Sequence, residues 1–187
     1  QLEAKGVTVR SGTLVDATLI PSASTGHDGE ARWAGDRRRK PTHGYKAHVA
    51  TDEGAGLVQG VEVTTAGVHD AAELAAVLPA DPGAVYCDGA FGGPQSAAAS
   101  RVKGGLPAVV GTGTWGGPAA LARLEAHNAA VQRVRCRIEK LVGACNRSYG
   151  LRRMRWILRA KARLQVRLAA IACNLRRTLG ILRAVAA

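Results

Sequence analysis

The chain has 187 residues, 26 Lys and Arg against 14 Asp and Glu, a formal net charge of +12, and 47% apolar but only 4% aromatic residues. That length and apolar content support one domain with a real core, built mainly from Ala, Val, Leu and Ile, and exclude wholesale disorder. No apolar run approaches the ~20 residues that span a bilayer, no signal peptide opens the chain, and Cys87, Cys136, Cys145 and Cys173 lack metal-ligand spacing, which excludes membrane and secreted readings in favour of reduced thiols in a cytoplasm.

The first predicted element is a strand over Gly12–Pro21, alternating and β-branched, with Asp16 at its middle. Ser22–Lys40 is polar and Gly-rich, ends in the basic run Arg37–Lys40, and reads as a mobile loop. Two strands follow at Gly44–Thr51 and Leu57–Thr64, joined by a hairpin at Asp52–Gly56. Asp70–Leu78 is an Ala-rich helix with Asp70 as its cap, stopped by Pro79. A short apolar strand at Ala84–Cys87 runs into Asp88-Gly89, then a helix around Gln95–Val102 and a strand at Pro107–Val110. From Ala119 onward the pattern is helical. Val131, Val134, Ile138, Leu141, Val142 and Cys145 share one face, Gly150 interrupts, and a second basic helix spans Ile157–Leu182. The fold class is therefore α/β with a mixed sheet flanked by helices, the last of them basic. No heptad pattern is sustained long enough to predict a coiled coil. Trp33, Trp115 and Trp156 read as packing residues, with Trp115, in its Gly-rich turn, also a candidate stacking surface for a flipped base.

Charge divides the chain. Residues 1–120 hold 10 Lys and Arg against 12 Asp and Glu, whereas residues 121–187 hold 16 bases and only Glu125 and Glu139 as acids. The entire excess sits in the basic helical part, 119–187, which predicts a polyanionic partner, DNA above all, for that segment. Gly111–Gly117 lacks the GK[ST] ending of a phosphate-binding loop, so nucleotide binding is not expected there. Gln1 opens the chain in mid-pattern, so the whole of 1–187 is expected to be one domain, the C-terminal fragment of a longer protein.

Three carboxylates stand out because acids are scarce. Asp16 lies within a strand, where a charge is costly unless compensated. Asp88 follows a short strand, at the kind of strand end that lines functional crevices in open α/β sheets. Glu139 is nearly alone in a basic helix, one turn after Arg135. Singly, each has a structural explanation: an edge Asp, a turn Asp, a salt-bridged Glu. Together, oxygen ligands from three elements suit two Mg²⁺ ions (Mn²⁺ as substitute) ~3.5–4 Å apart, the arrangement for in-line displacement at phosphorus.

The strings LVDATLI (14–20), GYKAHVATDEGAGLVQGVEVTTAGVHDAAEL (44–74), VYCDGAF (85–91) and RVRCRIEKLVGACNRSYGLRRMRW (133–156) resemble the DDE transposases of bacterial insertion sequences, the insertion-sequence-five type most closely. The resemblance runs over nearly the whole chain and implies a ribonuclease H-like catalytic domain. Asp16, Asp88 and Glu139 then match the catalytic, metal-binding triad. Arg135, Arg147, Arg152, Arg153, Arg155 and Lys46 are expected to hold DNA, with His48, His69 and Asp70 as auxiliary residues near the site. The implied reaction is Mg-dependent cleavage at transposon ends followed by strand transfer into target DNA, by a homo-oligomer on double-stranded DNA in the bacterial cytoplasm. Where the family usually carries a Lys seven residues after the Glu, this chain has Asn146, beside Arg147. The alternatives are a ribonuclease H-like nuclease that only hydrolyses, and a transposase remnant that binds DNA as a basic module.

Overall fold

A computed structural model describes residues 12–35 and 40–185. Six strands and four helices follow in chain order: β1 (Thr13–Pro21), β2 (Arg32–Ala34), β3 (Thr42–Asp52), β4 (Val58–Thr65), α1 (Asp70–Val77), β5 (Ala84–Cys87), α2 (Pro94–Val102), β6 (Leu106–Val109), α3 (Gly117–Ser148) and α4 (Arg159–Val185). They form one mixed sheet. β3 takes β1 on one side and β2 and β4 on the other, all antiparallel, while β5 and β6 extend the β1 edge in parallel. The mixed α/β sheet expected from the sequence is thus present.

Period-two alternation along these strands builds two cores. Ile20 pairs with Tyr45 and Thr18 with Ala47, so these side chains share one sheet face, which packs on Cys145, Leu151, Met154, Val166 and Ala169 of the α3–α4 region. Val15 pairs with Ala50 on the opposite face, where Val85, Cys87 and Phe91 meet Leu74 and Val77 of α1. Each fully buried aliphatic side chain stabilises the fold by about 1.5–3 kcal/mol relative to exposure. A Cβ on Gly60 would run into the Val77 carbonyl, so the glycine is what lets α1 lie close on β4. Asp52 accepts from the Ala55 and Leu57 amides at 2.5 and 2.6 Å and closes the β3–β4 hairpin. Gly150, at φ +73°, ends α3: the Leu151 amide reaches back to the Cys145 carbonyl in the manner of a Schellman cap.

Three expectations are corrected. The stretch read as a loop contains β2, paired with Thr42–Gly44, and its first half is tied down by buried Asp28. Ser22 and the Tyr45 hydroxyl donate to Asp28, the latter at 2.7 Å, as does the Leu158 amide at 3.3 Å. Arg153 donates to the Ser22 and Ala23 carbonyls, and Glu30 accepts from the Arg159 amide, so this segment holds the start of α4. The part of the basic run at Arg37–Arg39 lies outside the described residues. Second, Trp33, Trp115 and Trp156 are exposed rather than packed, Trp115 completely. Third, α1 is capped by His69, whose Nδ1 accepts from the Ala71 amide, while Asp70 pairs with Lys46 at 2.7 Å. No helix among the described residues is long and apolar enough to cross a membrane.

The Asp28 network is open to direct test. Burial alone would raise the Asp28 pKa, but its hydrogen bonds from Ser22, Tyr45 and the Leu158 amide hold it below the usual value. Asp28→Ala strands those donors and is expected to cost about 3 kcal/mol or more in urea unfolding; a loss of less than about 0.5 kcal/mol would contradict this assignment.

Candidate active site

Sheet register brings the first two carboxylates together. β1 and β5 run parallel with Thr13 beside Val85 and Leu14 beside Tyr86. Continuing that register sets Asp88 alongside Asp16 on one face of the sheet, because both lie two residues beyond Leu14 and Tyr86. Asp88 leaves the strand end and accepts from the Ala90 amide at 3.0 Å, capping the short 3-10 turn at Gly89–Phe91. A helix then has to cover this face. α3 does so through Val131, Ile138 and Cys145, all buried.

Arg135 and Glu139 stand one turn apart on that helix. Arg135 is buried, with only 5% of its surface exposed. Its Nη2 lies 3.7 Å from Asp16 Oδ1 and its Nη1 3.9 Å from Glu139 Oε1. Gln132 completes the arrangement by accepting from Arg135 Nη1 at 3.2 Å and donating to Glu139 Oε1 at 3.1 Å. Gln132 was not singled out in the sequence; its spacing of three and seven residues from Arg135 and Glu139 along one helix flank is the signal that marks it. The guanidinium therefore stands between a strand carboxylate and a helix carboxylate, and its Nε is buried without a partner.

The electrostatics agree with this geometry. Burial pushes the Asp16 pKa up to about 6, Arg135 and the Ala17 amide pull it down, and the negative charges of Asp88 and Glu139 push it up again. Both other carboxylates are thus close enough to be felt by Asp16. Burial likewise raises Cys87 to about 12, with Asp88 adding to the effect, so this thiol stays protonated beside the site. Among the described residues, no three His, Cys, Asp or Glu side chains are gathered closely enough to hold a metal ion as they stand. The donor chemistry nonetheless suits a hard divalent cation: oxygen ligands only, with a net negative surplus that one arginine does not relieve. Glu139 is half exposed and tied to Gln132 and Arg135.

The other candidates divide. Arg147, Arg152 and Arg155 are exposed. Arg153 is occupied by backbone carbonyls, as described. Lys46 and His48 do not share the face of Asp16: Asp16 pairs with Val49, Ala17 with His48 and Leu19 with Lys46, which sets both on the α1 side of the sheet. There His48 is wholly buried with its Nε2 3.0 Å from the Thr64 hydroxyl, and Lys46 also donates to the Val68 carbonyl. His69 and Asp70 belong to the same side as the helix start. The three expected auxiliary residues and Lys46 therefore lie together on the α1 side of the sheet, opposite the face of Asp16. Asn146 is half buried, its Oδ1 without a partner.

Two tests follow from these environments. Folded Asp16 binds a proton up to about pH 6 while the unfolded group releases it near 3.8, so the folded state holds the extra proton in that window and stability falls as pH rises through it. In EDTA, Asp16→Asn should therefore be more stable than the parent by about 2–3 kcal/mol at pH 7, the gain fading to nothing by about pH 4; a destabilised variant at pH 7 would contradict a desolvated carboxylate. Burial drops the His48 pKa to about 4, despite the pull of Asp70. Its ring resonances should stay those of the neutral form between pH 7 and 5, and a midpoint above 6 would show that the ring is not enclosed.

A family model described as the transposase DDE domain matches residues 8–175. No curated protein and no solved structure matches the chain. The match spans β1 with Asp16, β5 with the Asp88 that follows it and α3 with Glu139, and the mixed sheet with its flanking helices is consistent with the ribonuclease H-like fold of that family. The chain belongs to the DDE transposases, a family of enzymes that cut and join polynucleotides.

Proposed function

We propose that Asp16, Asp88 and Glu139 are the catalytic carboxylates of this transposase, of the insertion-sequence-five type, and that they take up Mg²⁺ or Mn²⁺. The observation that carries the reading is the placement of Asp16 and Asp88 on one sheet face with Glu139 coupled to them through Arg135. When bound, the ions would activate the attacking oxygen and stabilise the leaving one at phosphorus. The chain's own side chains supply the rest. Asp16 in β1 and Asp88 just past the end of β5, where it accepts from the Ala90 amide, lie side by side on one sheet face. Glu139 swings in from a half-exposed surface, and Arg135, released from it, remains beside Asp16 and faces a scissile phosphate. Exposed Arg147, Arg152 and Arg155 hold DNA phosphates outside the centre.

A homo-oligomer fits the requirement to bring two transposon ends together. Leu164, Leu168, Ile171, Leu175 and Leu179 of α4 are each about half exposed or more, and they recur at helical spacing along roughly 22 Å of one flank. Such a stripe on a helix whose opposite flank is already in the core supports a face that another surface covers.

A nicking and joining assay tests the catalytic reading. Asp16→Asn, Asp88→Asn and Glu139→Gln should each lower Mn²⁺-dependent cleavage of a terminal-repeat duplex by at least about 10³-fold while duplex affinity holds or rises. Joined products would distinguish transposition from simple hydrolysis. Three arginine–phosphate contacts predict a log–log salt slope near −0.9 × 3, about −3. Cleavage surviving any of the three substitutions, or a slope near zero, would refute the assignment.

A further inference from the structure

A cavity of about 720 Å³ lies between α3 and α4, away from the three carboxylates. At 100° per residue, Arg137, Lys140, Ala144 and Arg147 occupy one flank of α3, and Glu139 projects roughly 120° away from their mean direction. The cavity is thus a second surface, on a different flank of α3 from Glu139. Five cations line it, Arg137, Lys140, Arg147, Arg176 and Arg177, and among the described residues no carboxylate does. Two of the five are braced: Arg137 donates to the Glu53 carbonyl at 2.7 Å and Arg177 to the Ala55 carbonyl. Both anchor on the β3–β4 hairpin, so that rim of the cavity is pre-arranged and not a fringe of free side chains.

The floor is of another kind. Leu141, Ala144, Cys173 and Ile181 make it apolar, and Tyr149 stands beside them. A DNA duplex presents a convex, polar sugar–phosphate surface that gains nothing from such a floor. A single strand offers both complements at once: phosphates for the cationic rims, and unpaired bases that stack on apolar and aromatic surface. We propose that the α3–α4 groove binds a single strand of nucleic acid, phosphates on the rims and bases on the floor. This rests on the reading of the chain as a DNA-processing enzyme and adds a separate site to it, suited to a strand unpaired during cutting and joining.

The test uses the 187-residue chain in EDTA, with anisotropy of a labelled 15-nucleotide oligothymidylate and of a 15-base-pair duplex. Two variants probe the groove independently. Lys140→Gln with Arg176→Gln removes two rim charges, and Ala144→Phe fills the floor without changing charge. All three groove substitutions lie outside the carboxylate centre, and melting curves confirm that each variant is folded. Both variants should weaken oligothymidylate binding about tenfold or more and duplex binding by less than about threefold. Unchanged oligothymidylate affinity would overturn the proposal. So would equal losses on both DNAs, which would make the groove a general phosphate surface, or binding of a polyglutamate peptide in place of oligothymidylate, which would make it a protein-docking groove. Mn²⁺-dependent nicking by the same variants separates the two readings: nicking that persists while oligothymidylate binding is unaltered removes the groove site alone, and groove-dependent binding in a chain that never nicks removes the catalytic reading alone.

Discussion

A carboxylate inside a strand cannot be left uncompensated, and Asp16 is such a carboxylate. β1 lies between β3 and β5; Asp16 pairs with Val49 on the β3 side, the pairing with β5 stops at Leu14, and Arg135 of α3 reaches the carboxylate. The compensation comes from Arg135, a cation carried on that same helix and itself buried. Arg135 offsets part of the desolvation cost of the Asp16 charge but not all of it, so the docking of α3 and the ionisation of Asp16 are coupled. The compensation is also incomplete. Burial, with Asp88 and Glu139 adding negative charge, leaves Asp16 hard to ionise, which is the electrostatic condition of a site that favours further positive charge.

The division of labour between the two sheet faces follows from the alternation of side chains in β1 and β3. One residue step separates Asp16 from Ala17, and the same step separates the Val49 opposite one from the His48 opposite the other. A histidine and a lysine close to Asp16 in strand pairing therefore end up on the far face, bonded there to Thr64, Val68 and Asp70. α3 shows a comparable division. Its inner stripe of Val131, Ile138 and Cys145 fixes it to the sheet, one flank carries Glu139, and the other carries the basic rim above α4. A single 32-residue helix thereby serves two surfaces of opposite charge.

Much of this was legible beforehand, and the failures have definite causes. Strands β1, β3, β4, β5 and β6 announced themselves by alternation or short apolar runs between turn residues, and the turn at Gly150 by the one residue type that adopts positive φ without strain. The three carboxylates stood out by scarcity. β2 was hidden because three residues, Arg32–Ala34, carry no period and are recruited by pairing with β3. Asp28 looked like any loop acid; its role exists only because Tyr45 and Leu158, 17 and 130 residues away, come to it in the fold. Asp70 was the better cap by residue preference, yet Lys46 claims it and leaves His69 to accept the helix amide. The face assignment of Lys46 and His48 required the β1–β3 register, which no pattern within either strand contains. Exposure of the tryptophans was equally a matter of tertiary placement.

The central claim is that three carboxylates from two strands and a helix act as one metal-binding centre, with Arg135 as their counter-ion when no metal is bound. Crystals grown with Mn²⁺ and measured at an anomalous wavelength test it most directly. The expected result is anomalous density between Asp16 and Asp88, with Glu139 turned toward it and its bonds to Gln132 and Arg135 broken. Density elsewhere on the chain, or none at a Mn²⁺ concentration that supports cleavage, would contradict the account.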